Sequence, residues 1–299
     1  MEIWFIILLA AIAVIAITLL LFLALLGDDT IRMHNIRHRR GEYINDQTAV
    51  IYQTIMDTTD SEKAYLLFIE YVFTNLRQFL RFVPNCLTSV SEAYYANDIA
   101  TMTKGLKDIA DMRVELKDQK ITQDECIKQI DPKYVIESAA WIHLSTDLRF
   151  AIVDGIKRII DVTLDYGRNY SEPIPKKYAE QLQFMVEDIC NICKTSRDLI
   201  GTGDIEAMRE LRKRTDIIKS ESYDTAQRLY ELLHDGRSEI DDDRRLALSY
   251  VLNAQQECHC IIYALRRLAL CSLCLTLSLK DGYVSPRSDA TASASIRPL

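Results

Sequence analysis

Residues 3–26 read IWFIILLAAIAVIAITLLLFLALL, a run without any charged residue and with a single hydroxyl side chain, that of Thr18. At a helical rise of about 1.5 Å per residue the run extends roughly 36 Å, enough to cross a hydrocarbon core of about 30 Å. Only Met1 and Glu2 precede it, so the basic residue that usually opens a signal peptide is missing. The run therefore predicts an uncleaved transmembrane anchor in preference to a signal peptide.

A basic cluster follows the apolar run and consists of Arg32, Arg37, Arg39 and Arg40. These arginines lie in the short flanking window whose excess of Lys and Arg marks the cytoplasmic side. They can also rest against anionic headgroups, where each contributes on the order of 1 kcal/mol. We therefore expect a single-pass protein of the inner (cytoplasmic) membrane, with the four arginines at the membrane surface and the C-terminal domain in the cytoplasm.

The composition of the chain indicates helices and argues against nucleic acid as a partner. The formal net charge is -7, whereas nucleic-acid-binding domains are basic. Nine Gly and six Pro among 299 residues are few, and Leu, Ile, Ala, Glu and Arg are abundant, which favours an all-α chain. The eight cysteines agree with a location where thiols stay reduced.

Capping residues and apolar spacing predict where the helices lie. Between residues 65 and 90 the apolar side chains recur at spacings of three and four, as in a helix that buries one stripe. Asp60 can cap the start of this helix, and Asp131 followed by Pro132 marks another start. The segment 122–125 has the form of a capping box, so we expect a short turn to open there.

Two pairs of segments suggest that the chain contains an internal repeat. The pattern at residues 97–102, NDIATM, returns at 203–208 as GDIEAM, and the pattern at 156–159, IKRI, returns at 265–268 as LRRL. Each copy would contain a long helix, a turn, a polar helix and a third long helix. This repeat predicts two tandem antiparallel three-helix bundles. Chance similarity between amphipathic helices is the alternative explanation.

The predicted organisation is an all-α chain with one N-terminal transmembrane helix and two bundles. The expected boundaries are a transmembrane anchor at 1–28, a basic juxtamembrane segment with a short helix at 29–58, a first three-helix bundle at 59–170, a second three-helix bundle at 171–280 and a tail at 281–299. The tail is rich in Ser, Ala and Pro and has little apolar surface to bury, so we expect it to be disordered.

Several of these motifs together resemble the PhoU family. They are the Gly203-Asp204 turn before a polar helix, the acid-Leu-Arg start at 147–149 and the centre IKRIID at 156–161. The segment GEYINDQTAVIYQTIMDTTD at 41–60, with its preceding span, is similar to the cytoplasmic PhoU-like domain of bacterial sodium/phosphate cotransporters. The resemblance covers roughly residues 40–280. It implies regulation of phosphate transport or signalling through protein contacts, with a phosphate transporter or its sensor as the partner.

The resemblance also implies acidic surface clusters that bind metal ions in some family members, each resting on a Glu and an Asp four residues apart. This chain departs from that pattern, because Lys157 stands in place of the Glu while Asp161 is kept, and Arg266 and Leu270 replace both acids in the second copy. Asp161 and Asp165 share one helical face and are the candidate ligands for a divalent metal. A solvated helix face is the alternative explanation for this pair.

The remaining motifs give no indication of an enzyme. The pairs Cys190/Cys193 and Cys271/Cys274 could together supply four thiolates to zinc, but neither has the Gly or Pro of a zinc knuckle, so we expect small core residues. Sequence motifs of phosphate-binding loops, serine hydrolases and zinc proteases do not occur. We therefore expect no catalytic residues and no resident cofactor other than the candidate metal.

The leading hypothesis is a membrane-anchored PhoU-like regulatory protein that acts through protein contacts in phosphate transport or signalling. The alternative is a membrane-tethered helical scaffold or homo-oligomerisation module unrelated to phosphate, whose apolar stripes are partner surfaces. A metal-dependent enzyme is a third and weaker hypothesis. The sequence itself supports the anchor, its orientation and the helical repeat, whereas phosphate enters only through the resemblance.

Overall fold

The computed structural model describes residues 46–170, 176–234 and 242–281. The chain divides into two compact units, residues 1–50 and 51–299, and the described part of the first unit is helical. The predicted anchor, the four arginines Arg32, Arg37, Arg39 and Arg40, and all but the first residue of the predicted tail lie outside the described residues.

The regular structure of the described residues consists of seven helices without a β-strand, which confirms the all-α prediction for this part of the chain. The helices are α1 (Asp46–Asp57), α2 (Ser61–Ala96), α3 (Ile99–Gln129), α4 (Pro132–Asn169), α5 (Lys176–Leu199), α6 (Ile205–His234) and α7 (Asp242–Asp281).

Acidic side chains cap three helix starts, and two of these caps, Asp60 and Asp131, confirm the sequence prediction. The carboxylate of Asp60 accepts hydrogen bonds from the backbone N–H groups two and three residues further on, and Asp131 accepts one in the same way at the start of α4. Gly201 and Gly203 have positive φ angles of 80° and 66°, a conformation that suits glycine, and Asp204 then caps α6. The caps at Asp60 and Asp131 depend on local hydrogen bonds, which is why the sequence predicted them.

The turn predicted at residues 122–125 is wrong, because α3 runs unbroken from Ile99 to Gln129. The inner face of α3 stays buried through this segment, at Leu116, Gln119, Gln123 and Cys126. Contacts with the neighbouring helices therefore outweigh the local capping signal, and the segment remains helical.

Within residues 51–281, the helices pack as two trios. Helices α2, α3 and α4 contact one another, and so do α5, α6 and α7. Between the trios the most extensive contact joins α4 to α7, and a second one joins α2 to α5. These contacts between neighbouring helices place four of them in one layer, in the order α3, α4, α7 and α6. Helices α2 and α5 pack side by side on one face of this layer. The domain boundaries drawn from the sequence stay predictions.

Helices α4 and α7 run antiparallel, and two polar contacts show their register. Arg158 Nε lies 2.8 Å from Glu257 Oε1, and the Tyr250 hydroxyl donates to Asp165 Oδ2 over 2.6 Å. This register places Val153, which has no exposed surface, close to Ile262, which is 1% exposed. Residues 153 and 262 occupy the same position in the two copies of the predicted repeat. A pseudo-twofold axis between the trios brings equivalent residues together, and this is what the centre of the contact shows.

The second contact between the trios has the same direction. The Arg77 guanidinium donates to the carbonyl oxygen of Ile200 over 3.3 Å, and Thr88 Oγ1 lies 3.7 Å from Cys190 Sγ. Residue numbers thus rise along α2 as they fall along α5, which makes this pair antiparallel too. Each trio therefore presents corresponding helices to the other, as the pseudo-twofold relation requires.

Among the described helices, α7 contains a segment, Arg245–Leu279, that is long and apolar enough to cross a membrane. Of its most apolar window, 56% is buried inside the structure, where α7 contacts α4, α5 and α6. The central helix of a helical bundle has the same length and composition. The segment lies near the C-terminal end of the described chain, whereas the sequence predicted its span at residues 3–26, outside the described residues.

We expect Gly155→Ala to destabilise the contact between α4 and α7. A Cβ atom at residue 155 would lie 2.9 Å from Cγ1 of Ile261, closer than two carbon atoms approach without displacement. Overpacking of this kind costs about 1–3 kcal/mol, which exceeds the gain of up to about 1 kcal/mol from replacing Gly by Ala in a helix. Thermal unfolding of the full chain in detergent, followed by circular dichroism, measures the loss.

The control is a double-mutant cycle with Ile261→Ala, which removes the atom that the new methyl group would meet. In that background Gly155→Ala should cost less than it does alone, because the overlap is gone. Additive effects of the two substitutions would contradict the close approach of the helices at this point.

Candidate functional site

Two places in the described chain gather polar side chains beyond what packing requires. One is buried in the first trio and comprises Glu115, Gln119 and Gln123 of α3 with Thr146 and Arg149 of α4; we call it the Arg149 cluster. The other is an open groove between α6 and α7, which we call the α6–α7 groove. The first is closed to solvent and the second is exposed, so they suit different roles.

The side chain of Arg149 has no exposed surface. Its Nη1 donates to Gln119 Oε1 over 2.6 Å, and its Nη2 donates to Thr146 Oγ1 over 3.1 Å. Gln119 in turn donates to Glu115 Oε1 over 2.9 Å. A neutral amide therefore stands between the buried cation and the nearest acid of the cluster.

Burial opposes charge on both ionisable members of the Arg149 cluster. It lowers the pKa of Arg149 to about 10 and raises the pKa of Glu115 above its ordinary value. Arg149 Nε and Gln123 Nε2 are also buried without a hydrogen-bond partner within the described residues. Each buried donor without a hydrogen-bond partner lowers the free energy of unfolding by about 1–3 kcal/mol. The cluster therefore lowers the stability of the first trio relative to an apolar core of the same shape.

The α6–α7 groove has a volume of about 280 Å³ and is lined by Asp216, Lys219, Ser220 and Tyr223 of α6 and by His259 of α7. The two helices are antiparallel, since the Arg266 guanidinium contacts Asp216 while His259 contacts the later residue Ser222. The groove follows the seam between the two helices.

The hydrogen bonds of Ser222 determine which nitrogen of His259 carries a proton. Ser222 Oγ donates to the carbonyl oxygen of Lys219 over 2.9 Å and lies 3.0 Å from His259 Nδ1. A carbonyl oxygen can only accept, so when the serine proton lies on it, Nδ1 is the donor to Ser222. A serine nucleophile would instead have to give its proton to the histidine. The pair therefore orients the imidazole and is not arranged for nucleophilic catalysis.

Positive charge exceeds negative charge along the groove. Arg266 contacts Asp216, and Arg212 Nε lies 3.9 Å from the same carboxylate. Lys219 Nζ lies 5.9 Å from the ring centre of Tyr263, and Arg267 Cζ lies 5.8 Å from it. Asp216 thus lies among several cations in a chain that is acidic as a whole.

Exposed aromatic and aliphatic side chains accompany these cations. Tyr223 and Tyr230 are 64% and 48% exposed and lie seven residues apart on one face of α6. Tyr263 and Leu270 of α7 are 47% and 46% exposed, also seven residues apart. The antiparallel register places Tyr230 and Leu270 toward opposite ends of the seam, with Tyr223 and Tyr263 between them. We call these four exposed side chains the tyrosine face.

The two predicted metal ligands have separate partners in the structure. Lys157 Nζ lies 2.5 Å from Asp161 Oδ2. Asp165 accepts from the Tyr250 hydroxyl over 2.6 Å and from Asn169 Nδ2 over 3.0 Å. In the part of the chain that the structure describes, no group of three or more His, Cys, Asp and Glu side chains could hold a metal ion. A cation at this pair would have to displace Lys157 and Tyr250, and the site stays a prediction.

The structure does not bring the two cysteine pairs together. All four cysteines are free thiols, and no metal-holding group among the described residues includes them. Cys193 and Cys271 are buried, while Cys190 and Cys274 are half-buried. Desolvation raises the pKa of Cys193, which keeps it a thiol and not a thiolate ligand. The four cysteines therefore pack as small core residues.

Sequence analysis did not identify the groove residues or the burial of Arg149. For Arg149 a signal existed, because residue 149 continues the apolar stripe between Ile142 and Ile156 at helical spacing. The groove depends on which residues of α6 and α7 face each other, and a single sequence carries no such information.

Comparison of the chain with models of protein families, with curated proteins and with solved structures gave no match. The function is therefore argued from the chain's own residues.

We expect Gln119→Leu to destabilise the first trio by about 1.5–3 kcal/mol, because it leaves the buried Arg149 charge without its shortest hydrogen bond. Adding Arg149→Met should restore part of that loss, since an apolar pair of similar volume replaces a buried cation and its acceptor. Chemical unfolding of the full chain in detergent compares the variants. A double variant less stable than Gln119→Leu alone would show that the charge itself stabilises the core.

Proposed function

We propose that this chain is a membrane-anchored regulatory protein that acts through protein contacts. In this proposal the run at residues 3–26 is the anchor, and the helical body is a PhoU-like double bundle on the cytoplasmic side. The charge-free anchor sequence and the basic cluster Arg32–Arg40 support the first part. The two trios, with their pseudo-twofold contacts, support the second.

The tyrosine face is the observation that carries the proposal of protein contacts. It presents three tyrosines and a leucine, each between 46% and 64% exposed, beside several arginines. Tyrosine and arginine are enriched at the energetically important centres of protein interfaces. The α6–α7 seam is therefore where a partner would bind.

The groove chemistry favours binding over catalysis. His259 donates to Ser222, and Asp216 is engaged by arginines, so neither side chain is poised to activate a nucleophile. A contact surface needs only exposed anchors and matched charge, which the α6–α7 seam offers. We therefore propose a non-enzymatic role.

The resemblance to the PhoU family supplies the identity of the process and the partner. In the proposal, the partner is a phosphate transporter or its sensor, and contact with it changes phosphate uptake or signalling. This part rests on the sequence motifs at residues 147–161 and 203–208 alone.

A photoreactive amino acid at position 223 should cross-link the chain to a specific membrane partner in native membranes. The matched control is the same amino acid at position 95, because Tyr95 is 47% exposed but lies on α2, away from the α6–α7 seam. We expect a discrete cross-linked band at 223 that is weaker or missing at 95, with an intensity that differs between phosphate-starved and phosphate-replete cells. Immunoblotting and mass spectrometry identify the product.

Three outcomes would change the proposal. Equal products at both positions would mean that the tyrosine face is not the contact surface. A band containing only the chain itself would favour the alternative of a homo-oligomerisation module. Identical bands under both phosphate conditions would remove the link to phosphate and leave the contact function in place.

A further inference from the structure

We propose that the α6–α7 groove binds an acidic segment of a partner protein, with carboxylate side chains contacting Lys219 in the groove and Arg267 near it, both close to Tyr263. The inference rests on the proposed function, because it assumes that the tyrosine face contacts a protein. It adds the chemistry of the segment that is recognised.

The balance of charge along the seam supports an acidic ligand. Asp216 is occupied by Arg266 and Arg212. Lys219 and Arg267 form no ion pair with a carboxylate in the described part of the chain, so their positive charges remain available to a ligand. Burial raises the pKa of Asp188 of α5, and the charge of Glu221 of α6 raises it further, so Glu221 lies near α5. Two cations without an acidic partner are therefore exposed beside the tyrosine face.

Tyr263 lies close to both cations. The Lys219 ammonium and the Arg267 guanidinium lie 5.9 and 5.8 Å from the centre of its ring, within the range of cation–π attraction. Both positive charges therefore lie near one exposed ring, where carboxylates of a single segment can reach them.

The neighbouring groups define the rest of the ligand. The Nε2 atom of His259 is the ring nitrogen left free by the Ser222 hydrogen bond, and Ser220 and Tyr223 line the groove with hydroxyl groups. Tyr223 and Tyr230 offer apolar area further along α6. A segment that alternates acidic and aromatic residues would match both the charge and the apolar surface.

The test uses the full chain in zwitterionic nanodiscs and a fluorescent synthetic peptide that alternates Glu with Tyr. A peptide with Gln in place of every Glu is the ligand control. We expect fluorescence anisotropy to show binding of the Glu peptide that weakens as salt rises, and weaker binding of the Gln peptide. Lys219→Glu combined with Arg267→Glu should lower the affinity at least about tenfold, because like charges then face each other.

The matched protein control is Lys194→Glu, which reverses an exposed lysine of α5 outside the groove. It should change the affinity less than about twofold, since it alters net charge without altering the groove. The neutral pair Lys219→Gln and Arg267→Gln should give an intermediate loss, and circular dichroism verifies that every variant keeps its helices. Equal losses from the groove and control variants would overturn the inference.

Two further outcomes separate this inference from the function on which it rests. If the chain binds phosphatidylglycerol vesicles through Lys219 and Arg267 but not the Glu peptide, the seam recognises a lipid surface and the inference fails. If cross-linking at position 223 persists unchanged in the charge-reversed variant, the contact function stands and the acidic segment is wrong. If peptide binding depends on both cations while no partner is cross-linked, the recognition chemistry stands and the proposed function fails.

Discussion

The close approach of α4 and α7 is the constraint on which the described structure depends. Gly155 permits it, because any larger residue at this point would collide with Ile261. The approach buries Val153 and Ile262 at the centre of the contact, and the Arg158–Glu257 pair lies beside them. The two trios therefore share their most extensive contact through the helices that occupy corresponding places in the predicted repeat.

The central position of α7 also determines where its polar and aromatic side chains reach the surface. Because α7 contacts α4, α5 and α6, only a narrow stripe of it reaches solvent, which includes Cys260, Tyr263, Arg267 and Leu270. Helix α6 is an outer helix that buries one stripe and leaves most of its charged residues exposed. The seam between these two helices therefore combines a rigid support with exposed cations and rings, which is what a contact surface needs.

The chain places its arginines in two opposite environments. Arg149 is fully buried, donates only to neutral amide and hydroxyl groups, and costs stability because no carboxylate compensates its charge directly. Arg267 lies beside Tyr263 at the surface, where water solvates the charge and a ligand can still reach it. The first charge is closed to any ligand, and the second remains free for recognition.

The sequence by itself determined the features that depend on neighbours along the chain. The helical class, the caps at Asp60 and Asp131 and the glycine turn before Asp204 follow from local hydrogen bonds and allowed backbone angles, and the structure has each of them. Only the tertiary structure decided which side chains meet across helices that are distant in sequence. In the tertiary structure α3 stays helical across the capping signal at 122–125, and the Tyr250 hydroxyl donates to Asp165. Residues of α6 and α7 also come together there to form the α6–α7 groove. The physical reason is that periodicity shows which face of a helix is buried, whereas the register between two helices is set by interlocking side chains that no local pattern encodes.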